Sequence, residues 1–156
     1  MSEEKIKQEL EDKFVYLKDA VTIQRKGRIF VQVPLSKFEE VFVYAVKQMH
    51  FLALSAITGS DRVEYFEVIY HLNQEGKILL NLCVSLNKED PQVKSVIAYC
   101  PSADIYEREL MDLLGIKVSG LAQGHRYPLT DDWPKGEYPL RKDWKAHTHH
   151  EEAQNA

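Results

Sequence analysis

Cysteine is scarce in this chain of 156 residues: Cys83 and Cys100 are the only two, far apart and with no CxxC pair. An iron–sulfur cluster normally takes four thiolates, so the chain cannot supply one alone, and two reduced, buried thiols are expected. Positive charge is not in excess either, with 20 Lys and Arg against 24 Asp and Glu and a net charge of −4. That leaves no basic footprint to neutralise phosphates and argues against nucleic acid as the primary partner. Long apolar runs are missing. Residues 38–57 are the most apolar, but Glu39, Glu40 and Lys47 interrupt them, so no spanning helix is expected. The opening MSEEKIKQELEDKF mixes acids and bases without the apolar centre of a signal peptide, which leads to the expectation of a cytoplasmic protein. Gly115, Gly120 and Gly124 fit neither GxGxxG nor a P-loop, and HExxH and GxSxG are absent. His147, His149 and His150 could in principle hold zinc, but nothing nearby would orient them, and a solvated polar end is expected.

What is present is an ordinary folding composition, 44% hydrophobic and 28% charged. A chain of this length hides roughly two-thirds of its unfolded surface, enough for one domain. Ile6, Leu10, Phe14 and Leu17 recur at helical spacing behind Ser2, predicting a helix to about Lys18. Residues 21–24 and 28–33 alternate around Lys26-Gly27 as a hairpin or a bent strand pair. Ser36 and Glu39 form a capping box before Phe38, Val41, Phe42, Ala45, Val46 and Met49, predicting a second helix to about His50. Residues 52–58 read as a strand, Gly59-Ser60-Asp61 as a turn, and 63–72 with 77–86 as a hairpin. A short strand is expected at 93–99. From Asp104 a third helix carries Tyr106, Leu110, Leu113 and Leu114 on one face and stops at Gly115. This order predicts an α+β fold, a two-layer sandwich of a mostly antiparallel sheet with helices on one side. Residues 116–156 lose the periodicity and contain Pro128, Pro134 and Pro139. Their Tyr127, Trp133, Tyr138, Leu140 and Trp144 are wrong for a solvating tail, so 1–115 reads as the domain and 116–156 as an extended, partner-binding arm.

The third helix carries the unusual chemistry. At about 100° per residue Arg108, Glu109 and Asp112 share a polar face, with Arg108 and Asp112 spaced to pair. Glu107 instead projects beside the apolar stripe. A carboxylate there needs a partner to avoid a penalty of several kcal/mol, and the candidates are Arg108 or a later arginine such as Arg141.

The run ADIYERELMDLLGI at residues 103–116 resembles the ERExxDxxGI signature of the respiratory complex I 30 kDa subunit family. Gly124-His125, then Asp131-Asp132-Trp133, then Pro139-Leu140-Arg141-Lys142-Asp143-Trp144 resemble that family's GH, DDW and PLRKD elements, in order. The run at residues 124–130, GHRYPLT, departs from the GHPxLRR-like run of quinone-reducing members. The segment at 131–144 is more similar to the matching subunit of membrane-bound, energy-converting nickel–iron hydrogenases.

The resemblance implies a subunit without a cofactor of its own, iron–sulfur and nickel–iron centres lying in companion subunits. Its implied partners are the large catalytic subunit, of the complex I 49 kDa or hydrogenase type, and the iron–sulfur subunits. The implied place is the inner face of the membrane, in an ion-pumping complex. Glu107, Arg108 and Asp112 would fix the junction of domain and arm, with Glu109 and Gly115 in the same motif. His125, Asp132, Trp133, Arg141 and Asp143 would anchor the arm, the charged ones through hydrogen-bonded pairs and Trp133 as a buried hot spot, with Asp131, Pro139, Leu140, Lys142 and Trp144 in the same partner-binding motifs. Two other readings stay open: a small hydrolase using Glu107, Glu109, Asp112 and His125, and an adaptor unconnected with redox chemistry.

Overall fold

The computed structural model describes residues 2–146, so the three C-terminal histidines lie outside the described residues. Helix α1 (Glu3–Lys13) opens under the Ser2 hydroxyl and buries Ile6 and Leu10. It stops short of Lys18, because Phe14 leaves helical geometry and a 3-10 turn at Val15–Leu17 lets Phe14 and Leu17 enter the core. Strands β1 (Val21–Arg25) and β2 (Arg28–Gln32) form the expected hairpin. Helix α2 (Phe38–Lys47) follows, but without the capping box. Ser36 lies in a 3-10 turn, Lys37 occupies the cap, and Glu39 is drawn away by Lys94 Nζ at 2.7 and 2.8 Å.

Strand β3 (Ala53–Asp61) runs straight through the expected Gly59 turn, which falls after Asp61 instead. There Val63 takes a positive φ of 76° and its N–H donates to Asp61 Oδ1. Strands β4 (Tyr65–Gln74) and β5 (Ile78–Asn87) pair over their full length. The sheet order is β1-β2-β5-β4-β3, with β2 and β5 parallel and the other neighbours antiparallel. This is the α+β architecture expected from the pattern of elements.

Alternation in β4 and β5 turns Phe66, Val68, Tyr70, Leu72, Leu80, Leu82 and Val84 to one side, all fully buried. Helix α2 covers them, with Phe38 and Phe42 packed on the Tyr70 ring. On the opposite side of the sheet Thr58, His71 and Asn81 form a chain of side-chain hydrogen bonds, held by Asn81 Nδ2 donating to the Ile29 carbonyl. The strand expected at 93–99 is shorter, β6 (Gln92–Lys94), because the chain turns back at Val96. Helix α3 (Ala103–Leu114) then packs on β3, where Gly59 is needed for a different reason from turning: a Cβ there would lie 2.5 Å from Leu114 Cδ1 and 2.6 Å from Leu110 Cδ2. Ile116 and Val118 remain in the core although the helical period ends at Gly115, and β7 (Lys117–Ser119) pairs in parallel with β6.

Candidate functional site

Helix α3 ends on Gly115, whose φ of 68° is the left-handed conformation that glycine adopts without steric penalty. The N–H groups of Gly115 and Ile116 close back on the carbonyls of Met111 and Leu110. Glycine is required here twice over, since a Cβ would meet the Tyr138 ring at 2.5 Å and Arg141 Nη2 at 2.7 Å. The arm therefore returns onto the end of the helix that preceded it. Arg141 Nε donates to the Leu114 carbonyl at 2.7 Å, placing a cation at the negative end of α3. The same guanidinium lies over the rings of Phe66 and Tyr138. Leu140 N donates to the Leu113 carbonyl, while its side chain stays exposed.

Asp112 does not pair with Arg108. It accepts from Arg126 Nε at 3.0 Å and from the Leu129 N–H at 3.2 Å, and Arg126 also donates to the Trp133 carbonyl. Arg108 turns one helical turn the other way to Asp104, at 3.0 and 3.2 Å, and reaches the Ala122 carbonyl. The reason is competition: Asp104 and Asp112 are equally spaced from Arg108, and Arg126 takes the second of them.

Glu107 is fully buried, as its position predicted, but its partners are not arginines. Ser95 Oγ donates to it at 2.6 Å and the Val96 N–H at 2.7 Å, stitching α3 to the segment after β6. Burial pushes its pKa up, opposed by those two donors. The Tyr70 hydroxyl, the one buried side-chain polar atom without a hydrogen-bond partner among the described residues, is itself shifted upward by burial and by the Glu107 charge.

Trp133 is half-buried. It packs on Trp144 with ring centroids 5.8 Å apart, and the two indole N–H groups reach the Glu137 carbonyl and carboxylate. Pro139 is half-buried between Tyr138 and Leu140, and Glu109 half-buried along a hollow that Leu140 also lines. His125, Asp131, Asp132, Lys142 and Asp143 are exposed, and among the described residues no hydrogen bond from the side chains of Asp131, Asp132 or Asp143 joins the arm to the domain. Of the carboxylates weighed for a hydrolase, Asp112 lines the same hollow as His125 but is engaged by Arg126, while Glu107 faces Ser95 and Glu109 lines a different hollow.

One anchor carries no motif. Asp61, nearly buried at the end of β3, accepts from the Lys142 N–H at 3.0 Å, from Lys88 Nζ at 2.9 Å and from the Val63 N–H at 2.8 Å. Burial alone would raise its pKa, but the Lys142 N–H, the Lys88 ammonium and the Val63 N–H outweigh it and bring the group to about 2. Its only signal in the sequence is a place among turn residues. Cys83 and Cys100 are both buried and unpaired, and burial raises the Cys83 thiol to about 12, away from reactive thiolate character.

The model of the family described as "Respiratory-chain NADH dehydrogenase, 30 Kd subunit" matches residues 31–150. Among relatives, the C subunit of the F(420)H(2) dehydrogenase of Methanosarcina mazei is 31% identical over 126 residues, 79% of each chain. The C/D subunit of the NADH-quinone oxidoreductase of Phocaeicola vulgatus is 34% identical over 118 residues, 73% of this chain but 22% of its own length. The fifth subunit of the formate hydrogenlyase of Escherichia coli is 35% identical over 127 residues, 77% of this chain and again 22% of its own. The chain thus spans about a fifth of these two longer relatives. Among solved structures, a chain of the membrane-bound sulfane sulfur reductase, an archaeal respiratory membrane complex, shares the fold with a TM-score of 0.82 at 24% identity, over 98% of this chain and 91% of that one. A trypsin-resistant fragment of Nqo5 aligns with a TM-score of 0.63 at 26% identity, over 76% of this chain and 99% of the fragment.

Proposed function

The chain belongs to the family of the 30 kDa subunit of the respiratory-chain NADH dehydrogenase, and from that premise we propose that it is a structural subunit, without a redox centre of its own, that packs against the large catalytic subunit of a membrane-associated, ion-pumping redox complex. The observation that carries this reading is the two longer relatives, in which the part similar to this chain is about a fifth, 22% in each, of one polypeptide. A domain that in some relatives is part of a much longer polypeptide fits best as a neighbour of the remaining part when the two are separate chains.

The names of the relatives differ in electron donor, NADH, F(420)H(2) and formate, while the domain is shared. That favours a supporting role over a role in choosing the donor. The reading also rests on the cysteine count: two thiols, both buried and far apart in the sequence, are fewer than the four an iron–sulfur cluster normally takes. No helix among the described residues is long and apolar enough to cross a membrane. We place the subunit at the inner, cytoplasmic face, held there by its companions, among which the iron–sulfur subunits carry the electrons.

Native purification through a tag on this chain tests the reading. A large subunit and iron–sulfur subunits should co-purify, with iron found in the assembly and none in the chain alone. Companions without any metal would favour a redox-unrelated adaptor, and a stoichiometric metal or flavin on the isolated chain would overturn the reading.

A further inference from the structure

Two adjoining hollows that the domain leaves unused border the outer face of α3. They measure about 310 and 410 Å³, lie along residues 124–127 and share Arg108, His125, Arg126 and Tyr127. Sharing those residues, the two hollows adjoin and make up one trough. Its apolar lining includes Ile105, Met111 and Tyr127, which are 42%, 40% and 40% exposed, an unusual concentration of large apolar side chains on one helix face and its facing loop.

The charges of the trough are arranged asymmetrically. Its only carboxylates among the described residues, Asp104 and Asp112, are each engaged by an arginine. The arginines are not saturated: Arg108 uses Nε and Nη2, leaving Nη1, and Arg126 uses Nε and Nη1, leaving Nη2, without a hydrogen bond among the described residues. Both guanidiniums are already fixed by a carboxylate and a backbone carbonyl, so little side-chain entropy remains to be lost on binding. Apolar walls with oriented, unfilled cationic donors call for an occupant that is apolar and brings an acceptor anion. Arg, Tyr and Met are also the side chains enriched where protein interfaces are strongest.

We propose that this trough receives a segment of a partner polypeptide in which an Asp or Glu, flanked by apolar residues, sets its carboxylate against Arg108 and Arg126. The proposal rests on the reading of the chain as a subunit and names the surface and chemistry of one of its contacts. Met111 makes a clean probe, because it is exposed and takes no part in the ion pairs. In the assembled complex, tagged chains carrying Met111→Glu and Met111→Lys are compared with wild type for companion subunits retained, after checking that the free variants melt as wild type does. An acidic occupant predicts that Met111→Glu lowers retention roughly tenfold or more through like-charge contact, while Met111→Lys stays within about twofold. A photo-crosslinking residue replacing Tyr127 should then capture a companion segment containing Asp or Glu among apolar residues. Equal losses from the two Met111 variants, unchanged retention in both, or a cross-link to lipid, to a second copy, to a segment without a carboxylate or to nothing would each overturn the proposal. Wild-type chain that brings down no companion at all would instead overturn the subunit reading on which it rests.

Discussion

The backbone N–H of Lys142 donates to Oδ2 of Asp61 over 3.0 Å, although 81 residues separate the two in the chain. A carboxylate at the end of β3 thereby fastens the arm, and it holds the Lys88 ammonium at the same time. Breaking a nearly buried pair leaves the remaining charge stranded, so Asp61→Ala should destabilise the fold by about 3 kcal/mol, the low end for such pairs. Asp61→Asn should recover part of that through the Lys142 N–H. The contribution is also pH-dependent. Because the folded pKa, about 2, lies below the ordinary 3.8, the stabilisation is present above about pH 4 and disappears as pH falls toward 2. Urea denaturation of wild type and Asp61→Asn between pH 2 and 6 checks this, and parallel curves would refute it.

Glu107 has the opposite sign. Its raised pKa means that the ionised form is the costly one, so its contribution is full below the ordinary carboxylate pKa and is lost as pH rises through the folded value. Glu107→Gln should therefore gain in stability relative to wild type as pH rises from 4, below the ordinary carboxylate value, to 8. Glu107→Ala strands the Val96 N–H and Ser95 O–H and should cost about 2–3 kcal/mol. Glu3→Ala, at a half-buried site where the carboxylate accepts from the Gly27 N–H, should cost clearly less than Glu107→Ala. Chemical denaturation at the two pH values separates these outcomes.

Gly115 and Gly76 share a positive φ, 68° and 71°, but only Gly115 has the arm against it. Gly76→Ala should cost about 1 kcal/mol through the backbone alone. Gly115→Ala should cost more and should also push Tyr138 and Arg141 away, exposing the arm to protease. If the two variants melt alike and resist protease equally, the arm does not rest on the helix end.

Hydrogen exchange on the isolated chain reports how far the arm is held by its own domain. The amides of Leu129, Leu140 and Lys142, bonded to Asp112, to the Leu113 carbonyl and to Asp61, should exchange more slowly than those of 122–127 and faster than those of β4 and β5. Uniformly unprotected exchange across 120–146 would mean that the arm orders only on a partner.

Much of the fold was legible because local rules were enough for it. The alternation of β4 and β5, the apolar face of α2 and the glycine stop of α3 depend on neighbours two to four residues away. The family motifs were legible for the same reason, being short and ordered. The capping box failed because Lys94, 55 residues on, offered Glu39 a better partner than the helix start did.

In the candidate site the division is sharper. By itself the sequence determined that Glu107 is buried, that Arg108 and Asp112 face the other way, and that the chain after Gly115 carries anchoring aromatic and cationic side chains. Only the tertiary structure decided which groups meet. Arg108 had equivalent acids one turn to either side, and Arg126 settled the choice by reaching Asp112 from 14 residues further on. Glu107 found Ser95 and Val96, and Asp61 found Lys142, through contacts that no helical or strand spacing encodes. The physical reason is that periodicity specifies which face a side chain occupies, whereas the partner of a buried or paired charge is whichever donor the packing of distant elements brings within about 3 Å.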